Sequence, residues 1–274
     1  MSKTWLITGV SGGLGREIAL VALGRGDVVV GTVRKAADAT AFEALGGHAL
    51  FLDVTDEAAV KAGVAKAEAI TGTIDILVNN AGYGLIGAVE EASLDEVRAQ
   101  FETNVLGPLA LLKAVLPAMR ARRAGRIINI TSVSGLATWA GTGVYCASKW
   151  ALEGLTQTLA AEVAELGIKV VNVAPGGLRT AFAGGSKTIV ASKIGDYDGL
   201  ARDAERIMAE HAGHESGDPT KAAQAILTIA DVADPPLHLL LGEDALKYAG
   251  YAAAGLQADI DAWKATSLSI GFDA

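Results

Sequence analysis

Short, continuous apolar stretches alternate along the chain with longer segments in which apolar residues recur at helical spacing. The apolar stretches fall at residues 4–8, 28–33, 48–52, 74–78, 126–131, 169–174 and 237–241. Because apolar residues predominate in them and do not fall only at every second position, they are typical of parallel strands that are covered on both faces. Helical spacing occupies about residues 14–23, 39–45, 57–71, 93–123, 144–166, 219–230 and 243–265. The alternation predicts an α/β fold built on a doubly wound parallel sheet.

One stretch interrupts this alternation. Residues 176–217 are rich in Gly, Ser and charged residues and show no clear period, which predicts an irregular insertion. Loops of this kind often determine specificity, and we expect residues 178–217 to form the substrate loop. Asp218-Pro219 then has the form of a helix N-cap followed by Pro in the first turn, and Gly107-Pro108 predicts a break within the region 93–123. No linker or repeat divides the chain, so residues 1–274 are predicted to form a single domain.

The composition argues against several kinds of partner. The chain has 274 residues, of which 51% are hydrophobic, and 23 basic against 31 acidic residues give a net charge of −8. Nucleic acids and anionic membranes both bind clustered Lys and Arg, so neither is an expected partner. The single cysteine, Cys146, cannot form an intramolecular disulfide, which favours a reducing compartment. With no signal-peptide pattern and no apolar run of membrane-spanning length, we expect a cytoplasmic protein. The histidines include one close pair, and we expect no metal site.

A glycine-rich segment joins the first predicted strand to the first predicted helix. It reads Thr8-Gly9-Val10-Ser11-Gly12-Gly13-Leu14-Gly15. Glycines let the backbone approach a pyrophosphate closely, and a helix N-terminus offers N–H groups and a positive dipole. A glycine cluster alone is more often only a turn, but one placed between strand and helix in a βαβ unit favours dinucleotide binding.

The residues after the second and third strands bear on which dinucleotide is bound. An acid at the end of the second strand would contact the adenosine ribose 2′-hydroxyl and repel a 2′-phosphate. Here the strand ends in Val33-Arg34 with no acid, and a guanidinium can bind phosphate, so NADP(H) is favoured over NAD(H). The alternative is an exposed arginine with no ligand. Asp53, after the third strand, either contacts adenine or caps the turn into Thr55.

Several polar residues follow other strands at the same predicted sheet edge. Asn79-Asn80-Ala81-Gly82 ends the fourth strand, and Ser132 follows the fifth. Tyr145 and Lys149 open the next helix four residues apart, which places them on one face. On spacing alone this pair is more often a surface accident, but an ammonium near a phenol would lower the tyrosine pKa and prepare it for proton transfer. The chain lacks the Ser-x-x-Lys pattern of serine hydrolases.

Taken together, these motifs resemble those of the short-chain dehydrogenase/reductase family. The resemblance covers about residues 3–242, and its motifs are Thr8-Gly9-x-x-x-Gly13-x-Gly15, Asn79-Asn80-Ala81-Gly82, Asn104, Ser132, Tyr145-x-x-x-Lys149 and Pro175-Gly176-x-x-x-Thr180. It implies a single Rossmann-type domain with a seven-stranded parallel sheet in the order 3-2-1-4-5-6-7 and helices on both faces. It also implies a homodimer or homotetramer. The end of the second strand looks like that of the NADP(H)-preferring carbonyl reductase and 17β-hydroxysteroid dehydrogenase branches.

The resemblance also implies residue roles. Tyr145 would be the acid/base, Lys149 would bind the nicotinamide ribose and lower the tyrosine pKa, Ser132 would hold the substrate oxygen, and Asn104 would support a water in the proton relay. The residues expected to bind the cofactor are Gly9, Ser11, Gly13, Leu14, Gly15, Arg34, Asp53, Val54, Asn80, Ala81, Gly82, Tyr145, Lys149, Pro175, Gly176, Leu178 and Thr180. Two departures are Gly12, where many members carry Ser, and Gly177, which adds flexibility after the strand.

The function expected from these residues is NADPH-dependent reduction of a ketone or aldehyde, with Tyr145 as the proton donor. One alternative is an NAD(P)-dependent alcohol or hydroxysteroid dehydrogenase that works in the oxidative direction. Another is a non-catalytic protein that senses NADP(H), although a sensor would not need a proton donor. The residues expected to line the substrate pocket, which favour an apolar or aromatic small molecule, are Leu136, Trp139, Phe182 and Tyr197.

Overall fold

A computed structural model describes residues 2–180, 182 and 187–272 of the chain. Its strands are β1 (Thr4–Ile7), β2 (Val28–Val33), β3 (His48–Phe51), β4 (Ile76–Asn79), β5 (Gly84–Ile86), β6 (Gly125–Ile130), β7 (Ile168–Pro175), β8 (Lys187–Ile189) and β9 (His238–Leu241). Its α-helices are α1 (Gly13–Gly24), α2 (Ala36–Glu43), α3 (Glu57–Thr71), α4 (Leu94–Phe101), α5 (Gly107–Arg122), α6 (Gly143–Glu162), α7 (Leu200–His211), α8 (Pro219–Asp231) and α9 (Glu243–Leu268).

Seven of these strands form one parallel sheet in the order β3-β2-β1-β4-β6-β7-β9. Numbered among themselves, they have the predicted order 3-2-1-4-5-6-7, so the predicted Rossmann-type sheet is confirmed. Since every strand runs the same way, all their carboxyl ends meet at one edge. The sheet extends from β1 through β2 to β3, and the next strand, β4, is then added on the other side of β1. Sheets of this kind bind ligands in the crevice at the carboxyl ends of the two strands where the order switches, here β1 and β4.

The sheet is covered on both faces, as the continuous apolar strands require. Trp5 and Ile7 of β1 pack in a core with α1, α2 and α8, while Leu6 between them packs in a second core with α3, α5 and α6. Successive side chains of a strand point to opposite faces, so each central strand contributes to both cores. The resulting sandwich fixes the carboxyl edge as a rigid platform for the loops that follow each strand.

The predicted break within the region 93–123 is confirmed, whereas the insertion is more regular than predicted. The region 93–123 is divided into α4 and α5 by a π-helical segment, Glu102–Leu106, and Pro108 lies in the first turn of α5, where its missing N–H costs no hydrogen bond. The insertion contains a regular helix, α7, whose charged residues pair along its surface, with Arg206 bonded to Asp203 and Glu210. It also contains β8, which pairs with the three-residue strand β5. These strands are too short to show a period.

The last two helices were predicted well. The Asp218 side chain accepts hydrogen bonds from the backbone N–H groups of Thr220 and Lys221, so it is the N-cap of α8 as expected. The final helix, α9, runs three residues beyond its predicted end. Within the described part of the chain, no helix combines the length and the apolar character needed to cross a membrane.

Candidate active site

A large cavity of about 1510 Å³ opens at the carboxyl edge of the sheet. It brings together most of the predicted site residues from loops that follow different strands. Those that line it are Gly9, Ser11, Gly13, Leu14, Arg34, Asp53, Val54, Asn80, Ala81, Gly82, Ser132, Trp139, Tyr145, Lys149, Pro175, Gly176, Leu178, Thr180 and Phe182. Gly15, Asn104, Leu136 and Tyr197 are not in its lining. The sequence therefore located the cavity, and these four residues have to be explained separately.

The glycine loop is shaped by contacts that only glycine permits. Gly9 and Gly13 have φ angles of 73° and 57°, in the left-handed region that disfavours side chains. A Cβ atom at Gly15 would lie 2.3 Å from Nδ2 of Asn80 and 2.5 Å from the carbonyl oxygen of Gly9. Gly15 thus packs beneath the loop instead of lining the cavity. This clearance lets the loop turn sharply into α1 and present its N–H groups.

Two threonines that were not predicted hold the loop to the sheet. The Thr8 hydroxyl accepts hydrogen bonds from the backbone N–H groups of Asn80 and Ala81, each at 2.9 Å. The Thr32 hydroxyl accepts one from Gly9 N–H at 3.0 Å. In return, the Asn80 amide donates to the carbonyl oxygen of Thr8 at 2.8 Å. A threonine at the end of a buried strand was the available signal for this role.

Arg34 and Asp53 lie side by side at the nucleotide end of the cavity. The Arg34 side chain is 78% exposed, and its Nη1 is 4.0 Å from Oδ2 of Asp53. Oδ1 of Asp53 accepts hydrogen bonds from the N–H and hydroxyl of Thr55 at 3.0 and 2.8 Å. The backbone bond from Thr55 is the main reason that the pKa of Asp53 lies below its usual value. Asp53 caps the turn with one oxygen, while Arg34 keeps its guanidinium free to meet an anion.

Tyr145 and Lys149 lie on one face of α6, as their spacing predicts, and both side chains are buried. The ammonium nitrogen of Lys149 donates to the carbonyl oxygen of Ile130 at 2.8 Å and lies 5.9 Å from the centre of the Tyr145 ring. Burial lowers the pKa of Lys149 to about 8, an effect that the carboxylate of Glu153 opposes. The lysine is thus held between β6 and the tyrosine at the floor of the cavity.

The pKa of Tyr145 differs from the expectation. Burial raises the pKa of this phenol to about 12, and its hydrogen bond with the Ser132 side chain offsets part of the rise. The sequence predicted a lowered value because of Lys149, but the dry surroundings disfavour the phenolate more strongly than the nearby ammonium favours it. A phenol in this state keeps its proton at neutral pH.

Ser132 and Asn104 approach the same floor from opposite sides. Ser132 begins the short helical turn Val133–Gly135, and its hydroxyl accepts a hydrogen bond from Ser134 N–H at 3.1 Å. Asn104 lies in the π-helical segment and bonds both backbone polar groups of Tyr83, at 3.2 Å to the N–H and 2.9 Å to the carbonyl oxygen. It is therefore buried one layer behind Gly82 and not in the cavity wall.

A row of polar side chains beneath the floor was missed by the sequence analysis. Asn79, Asn129, Asn172 and His238 occupy paired positions on β4, β6, β7 and β9. Glu153 of α6 meets this row: it accepts a hydrogen bond from Nδ2 of Asn172 at 2.5 Å and lies 3.2 Å from Nδ1 of His238. Burial raises the pKa of Glu153. Asparagines at matching depths in successive strands were the signal.

The substrate side of the cavity combines apolar and charged side chains. The Phe182 ring lies 5.7 Å from the Tyr145 ring, and Trp139 packs edge-on against Tyr248 with ring centres 5.3 Å apart. The helix α7 adds Ile207 and Met208. The same helix also contributes Asp203 and His211, and Phe182 is the apolar side chain that packs against the phenol ring of Tyr145.

The predicted pocket residues Leu136 and Tyr197 are used elsewhere. The N–H of Leu136 closes the turn that follows Ser132 by bonding the carbonyl oxygen of Val133. The hydroxyl of Tyr197 donates to the exposed carboxylate of Glu90. Both are therefore structural contacts beside the cavity.

Buried carboxylates hold the insertion against the domain. Glu91 is almost fully buried, and its two oxygens bond the Arg202 guanidinium of α7 at 2.6 and 3.1 Å. It also accepts a hydrogen bond from Ile194 N–H at 2.7 Å. The hydrogen bonds from Arg202 are the main cause that lowers the pKa of Glu91 to about 2. This contact fixes α7, and with it the wall of the substrate side.

Comparison with known proteins agrees with this geometry. The profile of the short chain dehydrogenase family matches residues 3–188. Oxidoreductase BOA17 of Botryotinia fuckeliana is 38% identical over 273 residues, which cover 98% of this chain and 99% of that protein.

Solved structures show the same fold. A short-chain dehydrogenase from Streptomyces avermitilis superimposes with a TM-score of 0.93 at 38% identity, over 99% of this chain and 100% of that one. ElxO with NADP bound superimposes with a TM-score of 0.73 at 30% identity, over 88% of this chain and 96% of that one. The matched profile, the full-length relatives and the assembled Ser132, Tyr145 and Lys149 show that this chain is an oxidoreductase of the short-chain dehydrogenase/reductase family.

Proposed function

We propose that this protein reduces a ketone or aldehyde to the alcohol with NADPH. The observation that carries the proposal is the placement of Tyr145, Lys149 and Ser132 in the wall of the one cavity that the glycine loop also lines. Reduction of a carbonyl needs a proton donor at that place, whereas oxidation of an alcohol needs a base. Tyr145 can act in either sense, and the reductive direction is proposed because Arg34, which favours NADPH, lines the same cavity.

The cavity fits a nicotinamide dinucleotide on the protein's own geometry. The positive φ angles of Gly9 and Gly13 and the absence of room for a Cβ at Gly15 shape a loop that suits a pyrophosphate at the N-terminus of α1. Asp53 and Arg34 would hold the adenosine end, and Lys149, Pro175 and Thr180 the nicotinamide end. When bound, this cofactor supplies the hydride that reaches the carbonyl carbon.

The protein's side chains would supply the proton and hold the oxygen. Ser132 would donate a hydrogen bond to the substrate oxygen, and Tyr145 would protonate that oxygen as negative charge develops on it. Lys149, which would bind the ribose hydroxyls, also places a positive charge near the phenol. Asn104, fixed by both backbone groups of Tyr83, would support a water that returns the proton.

The preference for NADPH rests on Arg34. Its guanidinium is 78% exposed at the nucleotide end, beside an Asp53 whose carboxylate is already engaged by Thr55. The strand that precedes it ends without the acid that would repel a 2′-phosphate. ElxO, whose structure contains NADP, gives a relative with that cofactor. The buried thiol of Cys146 suits the reducing cytoplasm.

A panel of ketones, aldehydes and the matching alcohols, followed at the absorbance of reduced nicotinamide with NADPH and with NADH, tests the proposal. We expect turnover with apolar or aromatic carbonyls, because Phe182 packs against the Tyr145 ring, and Trp139, Ile207 and Met208 line the same cavity. Tyr145→Phe should abolish that turnover while NADPH still binds. Unchanged turnover in this variant would refute the role of Tyr145, and tight NADPH binding with no turnover of any carbonyl or alcohol would point to a cofactor sensor.

A further inference from the structure

The C-terminal helix, α9, leaves the domain soon after it begins. Ala245 is its one residue classed as buried, and Tyr248 makes the aromatic contact with Trp139. Every residue from Ala253 to Phe272 is exposed. Leu256, Ile260 and Trp263 are among them, with 63%, 51% and 65% of their surfaces accessible. More than three turns of this helix therefore carry large apolar side chains that touch nothing in their own domain.

These side chains are arranged in a seam. Within α9, residues 246, 249, 253, 256, 260, 263 and 267 follow one another at alternating intervals of three and four. The seam positions, in order, are Leu246, Ala249, Ala253, Leu256, Ile260, Trp263 and Ser267. This is the heptad spacing of a and d positions in a coiled coil, and six of the seven are apolar. The repeat spans three heptads.

A seam of this kind needs a partner. Most of a helix's stability in a protein comes from packing of its apolar face, and isolated helices are marginal in water. A strict heptad seam is narrower than the apolar stripe of a helix that lies on a domain surface, and it fits another helix with the same repeat. Ala249 and Ala253 near its base would let two backbones approach closely.

The charges beside the seam identify the partner as a second copy of the same helix. With Ile260 at an a position, Asp259 occupies the preceding g position and Lys264 the following e position. In a parallel pair, a g residue faces the e residue five positions further on in the other helix. Asp259 of each copy would then face Lys264 of the other, which gives two opposite-charge pairs related by symmetry.

Other arrangements lack this complementarity. In an antiparallel pair, g positions face g positions, and the other g residues of α9 within this repeat are Ala245, Ala252 and Thr266. A membrane surface is also disfavoured, because four acidic residues, Glu243, Asp244, Asp259 and Asp261, outnumber Lys247 and Lys264 in α9. We propose that α9 pairs in parallel with α9 of a second copy of this chain, as a two-stranded coiled coil that makes the protein a homodimer.

Single-cysteine variants test the pairing directly. In a parallel pair, equal a positions lie opposite each other, so Ala253→Cys and Ser267→Cys should each form disulfide-linked dimers under mild oxidation. The matched control is Ala258→Cys, at an f position on the outer side of the same helix, which should remain unlinked. The only native thiol, Cys146, is 2% exposed and should give no background. Non-reducing electrophoresis and sedimentation equilibrium read out both results.

Several outcomes would overturn the proposal. A monomeric wild-type chain at micromolar concentration would do so, as would monomeric protein that floats with lipid vesicles. Linkage that occurs only between a mixed pair of Ala249→Cys and Ser267→Cys chains, where a d position meets an a position, would show antiparallel packing instead. Circular dichroism and NADPH binding, measured for each variant, show whether it is folded. The seam residues do not line the cavity, so their substitution should leave NADPH binding unchanged.

Charge reversal provides a second, independent test. Asp259→Lys should raise the dimer dissociation constant roughly tenfold, because two attractive pairs become repulsive. Adding Lys264→Asp to the same chain reverses both partners and should restore the wild-type constant. Asp261→Lys, at an outer b position, makes the same change in net charge and should have little effect. Equal weakening by Asp259→Lys and Asp261→Lys, or failure of the double reversal to restore dimerisation, would refute the parallel register.

Discussion

The two ends of the cavity are held in place by different kinds of contact. At the nucleotide end, the backbone itself is fixed by close approaches, such as that of Gly15 to Asn80 and to the carbonyl oxygen of Gly9. At the substrate end, the wall belongs to an insertion that is held by side chains, above all by the ion pair between Glu91 and Arg202. The backbone at Gly15 therefore has no room for an added atom, whereas the substrate wall can move as a unit if its anchor is released. This separation would let the substrate side vary while the cofactor side stays constant.

The strongest test of the nucleotide end is Gly15→Ala. The new methyl group would meet Nδ2 of Asn80 at 2.3 Å and a backbone oxygen at 2.5 Å, so the loop must shift. Overpacking of this kind costs about 1–3 kcal/mol, and we expect NADPH binding to weaken roughly fivefold to 150-fold. Gly24→Ala, at the other end of α1 with open space around it, is the matched control and should bind NADPH normally. Normal binding by Gly15→Ala, measured by fluorescence titration, would show that the loop is not fixed by this contact.

A second test at the same end concerns the choice of cofactor. Arg34→Asp should reverse the preference by lowering the ratio of kcat/KM for NADPH to that for NADH roughly tenfold to a hundredfold, because hydrogen bonds to charged groups contribute about 1.5–3 kcal/mol. Lys35→Asp is the control: it changes the charge equally at the next exposed position, which does not line the cavity. An equal loss in both variants would mean that general charge, and not contact with Arg34, sets the preference.

A substitution that releases the substrate wall should weaken substrate binding instead of cofactor binding. Glu91→Gln removes the charge that holds Arg202 and Ile194 N–H, so the insertion should loosen and KM for the carbonyl substrate should rise roughly tenfold through misplacement of the wall. NADPH binding should not change. Glu205→Gln, which breaks the exposed pair with Lys193, is the matched control and should have little effect. Hydrogen exchange at residues 191–202 would report the loosening, and weaker NADPH binding in Glu91→Gln would contradict the independence of the two ends.

The same anchor has a defined dependence on pH. The pKa of Glu91 is lowered to about 2 in the folded protein, from an ordinary value of 4.5. A carboxyl group with a depressed pKa stabilises the folded state above its unfolded pKa, and this contribution is lost as the pH falls through the folded value. The insertion should therefore stay anchored at neutral pH and release between about pH 4.5 and pH 2.

The difference between the two ends also explains what the sequence could predict. Glycines and strand ends carry the nucleotide site, and both are visible in one dimension because Gly9, Gly13 and Gly15 follow a strand directly. The anchor of the insertion joins Glu91 to Arg202, 111 residues apart, and nothing local marks either residue. In the same way, Tyr197 was predicted to line the pocket because it is aromatic, but its hydroxyl found Glu90 instead. The type of a residue predicts which chemistry its side chain can perform. The orientation of that side chain depends on contacts with residues far away in the sequence.

The smallest expected effect on activity concerns Glu153, which meets the row of polar side chains beneath Tyr145 and Lys149. The carboxylate of Glu153 raises the pKa of Lys149 against the dominant effect of burial, which lowers it to about 8. The groups that face Glu153 are Lys149 on α6, His238 on β9, and the neutral Asn172 and Thr131 from β7 and the end of β6. If Lys149 acts as an ammonium, kcat/KM must fall as the pH rises through its pKa. Glu153→Gln removes the negative charge, so this basic limb should move to lower pH.

At pH 6, where Lys149 remains protonated in both proteins, the same variant should have nearly normal activity. Glu162→Gln, two turns further along α6 and exposed to solvent, is the matched control and should leave the profile unchanged. A purely structural role for Glu153 would lower kcat/KM equally at all pH values and leave the position of the basic limb fixed. A shift of the basic limb to lower pH, with little loss of kcat/KM at pH 6, would show that Glu153 acts on the active site through the charge of Lys149. The polar row beneath the sheet edge would then influence catalysis by a route that is separate from both ends of the cavity.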